Sequence, residues 1–200
     1  LDRAGLVFLY KHEVVELNSA YELFTQAPEW NNFPRFPMVI EVTYANQDFV
    51  IINNHYKCCG NGTIENVYND EEYRRLQSCI LTKTYIESNL NGKNVILVGD
   101  LNDELSDPDS DNVFIDFIND SENYLFVDED IAMGSSANWS FPGWPSHLDH
   151  ILITNELFDE FNNVASLINT IKIEDFLDRG WVEYETYISD HRPMVLRLIF

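Results

Sequence analysis

The sequence predicts a mixed α/β fold, because short apolar runs of strand length alternate with helical stretches and a polar turn joins two of the runs as a hairpin. Apolar runs closed by polar or turn residues mark strands at 5–10, 38–44, 49–52, 95–98, 148–153 and 194–200. Ala45-Asn46-Gln47-Asp48 has the length and composition of a hairpin connection. The main helix is expected over 70–90. Asn69 or Asp70 can cap it, Glu71 and Glu72 suit the positive end of its dipole, and Gly92 stands just past its end. Leu76, Cys79, Ile80, Ile86 and Leu90 supply its apolar stripe. Shorter helices are expected near 113–118 and 156–161, and the alternation as a whole implies a mixed sheet.

A chain of 200 residues is within single-domain size and can bury a core without disulfide or metal staples, so one domain over 1–200 is expected, as a monomer. Hydrophobic residues at 45% and aromatics at 14% belong to a folded protein. The balance of 12 Lys+Arg against 34 Asp+Glu gives a formal charge of −22, which repels polyanions at long range and attracts cations. Phosphate binding then needs divalent ions and a few local basic groups to reverse the field inside one cleft. Lys57, Arg74, Arg75 and Lys83 are the basic cluster on offer, with Arg74 and Arg75 read as solvent-facing on the helix. No apolar run is long enough for a transmembrane segment.

Asp107, Asp109 and Asp111 alternate like a calcium loop, but Asn112 and Ile118 stand where such a loop needs Gly and Glu, so a solvated acidic loop is expected. Cys58, Cys59 and Cys79 lack the paired spacing of a zinc site. Either one bridge joins Cys58 or Cys59 to Cys79, which would place the protein in an extracellular or periplasmic compartment, or all three are free thiols.

Four polar clusters sit at the ends of apolar strands: Asn53-Asn54-His55, Gly99-Asp100-Leu101-Asn102, Asp149-His150 and Ser189-Asp190-His191. If these strands are antiparallel partners, all four clusters fall on one edge of the sheet, the natural floor of a cleft. Hydrolysis of a phosphoester needs an activated water and neutralised phosphoryl oxygens. Carboxylates at Asp100, Asp149 and Asp190 suit hard cations, and His55 and His191 suit phosphate contact or proton movement.

The ordered set N-x-H, G-D-L-N, L-D-H-I and S-D-H-R-P resembles the endonuclease/exonuclease/phosphatase superfamily, from about residue 5 to 200. The resemblance implies a DNase I-like β-sandwich with mixed sheets flanked by helices, and metal-dependent hydrolysis of a phosphoester by a phosphodiesterase or endonuclease. Mg²⁺ or Mn²⁺ is the implied cofactor, with Ca²⁺ also open, and a nucleic acid is among the implied substrates. By resemblance Asp190 is a metal ligand, His191 contacts the scissile phosphate and assists water attack, and Asp149 orients that imidazole. Asp100 aligns the water or holds a metal, Asn102 donates to a phosphate oxygen, His55 is the second active-site His, and Arg35 is a phosphate-side Arg. Trp139, Phe141 and Trp144 lie where related enzymes shape the substrate pocket. Leu148 and His150 are expected to face away from the cleft together, with His150 in a structural role.

Members of the superfamily begin with two further strands that carry an Asn and a metal-ligating Glu, and neither Glu13 nor Glu16 stands in for that acid. The expectations are therefore an N-terminally incomplete domain, an intact protein that is longer, and poor metal affinity for these residues alone. A phosphatase or sphingomyelinase-type enzyme, or a non-catalytic binding or scaffold domain retaining the fold, are the alternatives.

Overall fold

The computed structural model describes residues 5–200. Its strands are β1 (Val15–Glu22), β2 (Met38–Tyr44), β3 (Gln47–His55), β4 (Asn94–Asp100), β5 (Tyr124–Phe126), β6 (Asp149–Thr154), β7 (Leu167–Thr170) and β8 (Met194–Arg197). Its α-helices are α1 (Glu71–Asn89), α2 (Ile115–Ile118), α3 (Glu129–Ala132), α4 (Phe158–Phe161) and α5 (Trp181–Tyr187). A six-stranded sheet has the order β1-β2-β3-β4-β6-β5, and β7 pairs with β8 in a second sheet. Only the β3–β4 pair is parallel, with α1 as its crossover, so the sheet is mixed as expected.

Side-chain alternation divides the core in two. Val39, Val50, Ile52, Val95, Leu97 and Leu152 point to one face, where Cys79 and Ile86 of α1 meet them. Ile40, Val42, Phe49, Ile151 and Ile153 point to the other, where Ile168, Met194 and Leu196 of the β7–β8 pair close over them. Sheet on sheet with a helix behind is the sandwich that the sequence predicts.

Residues 5–10 depart from expectation. They form no strand, Leu9 is 97% exposed, and the segment lies along an apolar groove of about 420 Å³ shared with Ile51, Ile96 and Leu196. Apolar composition alone does not make a strand when no neighbour takes up the backbone groups. The first strand is instead β1, whose VELNSAYE sequence hid it. It is an edge strand with a mostly exposed pattern and a bulge between Leu17 and Ser19. The hairpin is also tighter than expected. Tyr44 pairs with Gln47, leaving Ala45 and Asn46 as a two-residue turn, both at positive φ.

Helix α1 begins where predicted, with the Asp70 carboxylate accepting the Tyr73 N–H at 2.7 Å. Its buried face is more polar than the predicted stripe, since Glu72, Arg75, Ser78 and Thr82 join Cys79 and Ile86. Arg75 does not face solvent. It is 3% exposed, because the loops beyond β3 and β4 fold over it.

Asn54 of β3 and Gly99 of β4 are register partners. Gly99 has φ +141, and a Cβ built there would lie 1.9 Å from the Asn54 carbonyl oxygen. The glycine of G-D-L-N is thus a requirement of the sheet directly beneath Asp100. Gly99→Ala is expected to cost roughly 2–5 kcal/mol, as backbone strain plus overpacking. Gly62→Ala, at φ +78 but in open space, should cost about 1 kcal/mol. Urea unfolding of both variants checks this, and equal losses would contradict it.

Candidate active site

The strand register assembles the site. His55 ends β3 opposite Asp100 at the end of β4, and Asp100 in turn pairs with Asp149 at the start of β6. One row across three strands therefore carries an imidazole and two carboxylates. The fourth cluster does not belong to this sheet, because the strand it precedes is β8 of the second sheet. Its loop nevertheless brings His191 over the row, with Nδ1 at 2.6 Å from Asp149 Oδ2. The expected Asp149–His191 pairing is thus present. The His191 Nε2 atom lies 4.0 Å from Asp100 Oδ2, and His55 Nε2 lies 3.8 Å from the same oxygen.

These groups line a cleft of about 440 Å³ with Asn102, Asp190, Cys58, Cys59, Phe141, Trp144, Ser146 and Leu148. Leu148 faces the cleft, contrary to expectation, because it precedes β6 and is not bound by the strand's alternation. Of the three aromatics, Phe141 packs on the His191 ring with centroids 4.7 Å apart, and Trp144 is 76% exposed at the mouth. Trp139 points elsewhere and donates to the Ile131 carbonyl. The Asn102 N–H donates to Asp100 Oδ1 at 3.1 Å and its amide nitrogen to the Tyr56 carbonyl at 3.2 Å.

Burial, then the neighbouring Asp149 charge, push the Asp100 carboxyl up to about 6, against the opposing pull of His191 and Asn102. Burial and the nearby Arg35 guanidinium lower His55 to about 4, which places Arg35 electrostatically beside the site. For His191 burial opposes the charged ring, but the Asp149 hydrogen bond and the charges of Asp149, Asp100 and Asp190 outweigh it and raise the pKa. The cleft thus sets a His55 that is neutral at neutral pH beside a His191 whose charged form is favoured by its hydrogen bond to Asp149.

A buried network beneath the cleft holds His150 in the structural role expected of it and joins it to Asp128, His147 and Ser140, which the sequence did not mark. Asp128, at 0% exposure, accepts through Oδ2 from His150 Nδ1 at 2.7 Å and from His147 Nε2 at 3.0 Å, and through Oδ1 from the Ile151 N–H at 2.8 Å. His150 Nε2 faces the Asp103 carbonyl at 2.9 Å. Both His150 nitrogens therefore face acceptors, which requires hydrogen on each and makes the ring an imidazolium. The His147 Nδ1 atom accepts the Ser140 N–H at 3.2 Å. Ser140 Oγ in turn accepts the N–H groups of Leu148 and Asp149, each at 3.1 Å, and its carbonyl accepts the Arg192 N–H at 2.7 Å. On the far side Arg75 binds the Asp103 carboxylate and the carbonyls of Lys57 and Cys59, all at 2.7 Å. Every loop that carries a cleft residue is tied to this network.

Asp128, His147 and His150 are close enough to hold a metal, yet their ring nitrogens and carboxylate oxygens are each engaged within the protein. Asp190 and Asp100 suit a cation better. Both face the cleft, where burial first and the Asp149 charge second raise the Asp100 carboxyl. Cys79 is buried, Cys58 and Cys59 are exposed at the cleft rim, and all three are free. The predicted bridge is not formed, because the helix turns Cys79 into the core, and the compartment expectation loses that support.

A sequence model of the Endonuclease/Exonuclease/phosphatase family matches residues 1–191. The chain belongs to this family. No curated protein matches the sequence. Among solved structures the chain is similar to a D. rerio TDP2 complexed with single strand DNA product, at TM-score 0.61 and 14% identity over 94% of this chain and 70% of that one. It is also similar to an endonuclease/exonuclease/phosphatase from Bacteroides vulgatus, at TM-score 0.58 and 12% identity over 96% and 68% of the two chains. A third neighbour is a mannosyl-6-phosphatase of Bacteroides thetaiotaomicron, at TM-score 0.54 and 16% identity over 96% and 69%. At these identities the likeness establishes the fold, which is the DNase I-like fold of the family.

The His150–Asp128 pair gives the network a pH signature. Burial opposes the charged His150 ring, but Asp128 and the Asp103 carbonyl raise its pKa, so its contribution to stability is complete below roughly 6.5 and lost as pH rises through the folded value. Burial alone would raise Asp128, but the two His partners hold it well below the carboxylate range, so its contribution is present above roughly 3.9 and lost as pH falls toward the folded value. The melting temperature should therefore gain most from the pair between about pH 4 and 6.5. Asp128→Asn should remove that gain and cost roughly 3–5 kcal/mol. Calorimetry across pH on both proteins checks it, and parallel pH profiles would contradict it.

Proposed function

We propose that this chain carries the centre of a divalent-metal-dependent phosphoesterase acting on a phosphodiester. Family membership supports hydrolysis of phosphoesters in general. The observation that carries the assignment to this cleft is the 2.6 Å hydrogen bond from His191 Nδ1 to Asp149 Oδ2, with the other His191 nitrogen directed toward Asp100. Asp149 fixes the tautomer and orientation of the ring, and His191 Nε2 faces the position of the phosphoryl group. Asp100, beside both imidazoles, aligns the attacking water. Asn102 and Arg35 donate to phosphoryl oxygens, and the neutral His55 contacts the substrate without adding charge.

Asp190 with Asp100 would hold the cation, Mg²⁺ or Mn²⁺, whose chemistry when bound is neutralisation of phosphoryl and leaving-group charge. Two carboxylates are a sparse set for a hard cation, so water would complete the shell.

The acidic surface favours a small or single-stranded substrate over a duplex, since a charge of −22 repels a long polyanion. A phosphatase-type reaction on a small phosphoester is the second reading, and the enclosed size of the cleft, about 440 Å³, favours it. Asp149→Asn should lower kcat by roughly 10²–10⁴-fold with the fold intact, because His191 would lose the partner that fixes its tautomer. Hydrolysis of bis(p-nitrophenyl) phosphate, a single-stranded oligonucleotide and a sugar phosphate, each with and without EDTA, tests the reading. Turnover that survives EDTA or the substitution unchanged would overturn it.

A further inference from the structure

The cleft holds two groups that phosphoester hydrolysis does not use, the thiols of Cys58 and Cys59. Neighbouring residues on an extended chain direct their side chains to opposite faces. Here Cys59 adopts φ +72, which turns its side chain to the same side as that of Cys58, and the sulfurs approach to 2.9 Å. The turn is fixed from below, because Arg75 binds the carbonyls of Lys57 and Cys59 at 2.7 Å each. Lys57 places its ammonium 3.7 Å from the Cys58 sulfur. Both residues are exposed and line the same cleft as His55, Asp100 and His191.

We propose that Cys58 and Cys59 form a bidentate dithiol site for one thiophilic cation at the mouth of the cleft. Geometry favours chelation over a disulfide. The Cα atoms of residues joined by a trans peptide are about 3.8 Å apart, short of the 4.4 Å or more that an unstrained disulfide spans. A cation about 2.3 Å from each sulfur asks for no S–S bond and only a small opening of the pair. Soft and borderline ions such as Cd²⁺, and trivalent arsenic, match sulfur donors, whereas the hard Mg²⁺ or Mn²⁺ of the carboxylates does not. With Cd²⁺ each thiol exchanges its S–H bond for an S–Cd bond and both protons go to solvent. With phenylarsine oxide two S–H bonds give two As–S bonds, the oxide oxygen leaves as water, and no oxidation state changes. The bound ion sits over the His55–Asp100–His191 row and obstructs substrate entry.

Two measurements on the intact chain test the site. Cd²⁺ titration followed by the ultraviolet sulfur-to-cadmium band should show one ion per chain, and mass spectrometry should show one phenylarsenic adduct. Cys58→Ser and Cys59→Ser, both at exposed positions, should each weaken binding roughly 100-fold, because loss of one sulfur removes the second attachment. Binding unchanged by either substitution, or no adduct on the folded wild-type chain, would overturn the proposal. Phenylarsine oxide should also inhibit phosphodiester hydrolysis by the wild type and not by Cys58→Ser. That arm rests on the phosphoesterase reading and the binding arm does not, so the two can fail separately. An adduct that leaves an active enzyme uninhibited would overturn the placement of the ion over the row.

Discussion

The charge pair between Asp128 and His150 is the interaction on which the arrangement of the cleft depends. Both groups are buried, and a buried ion pair is stable only when its remaining hydrogen-bonding sites are met. Here they are met by backbone: the Ile151 N–H on one side and the Asp103 carbonyl on the other. The pair thereby joins the strand that starts at Asp149 to the loop that follows Asp100. His147 and Ser140 extend the connection to the segment bearing His191, and Arg75 extends it to the segment after His55. A row of acids and imidazoles in a cleft would splay under its own repulsion if it stood on unsupported loops. Anchoring the loops to a rigid polar layer is what lets two carboxylates, Asp100 and Asp149, stand as direct register partners.

That repulsion also gives the cleft its chemistry. The acids raise the pKa of His191, and burial together with Asp149 raises that of Asp100. The row stands in a molecule whose overall charge of −22 draws cations in. Arg35 is the basic residue whose charge is felt at His55. The cleft thus joins an anion-compatible side, at Arg35, to a cation-compatible side, at Asp100 and Asp190.

The sequence disclosed the parts of this design that are local. An apolar run ending in a polar cluster is visible by eye, and each of the four clusters lies on the cleft or under it. The β3 and β4 runs were legible because strands covered on both faces are continuous and apolar, whereas β1 was hidden by the polar residues of an edge. The supporting layer was illegible for a different reason. Arg75 is buried by loops 18 and 28 positions away, and Asp128 by partners 19 to 23 positions away. In sequence the first looks like a solvated helix residue and the second like part of an acidic surface. Nothing in their own neighbourhood distinguishes them, because their environment is made wholly by tertiary contact. The cysteines misled for the same reason: proximity of helix and loop suggested a bridge, but the rotation of α1 that buries Cys79 is set by the sheet.

The central claim is that a charged His150 is the strut of the cleft, and its protonation state can be observed directly. Nitrogen NMR of the imidazole side chains at pH 7.5 should show both His150 nitrogens bearing hydrogen, with His147 protonated at one nitrogen only. A bare nitrogen on His150 at that pH would contradict the account, since one of its two acceptors, Asp128 or the Asp103 carbonyl, would then face an unprotonated atom.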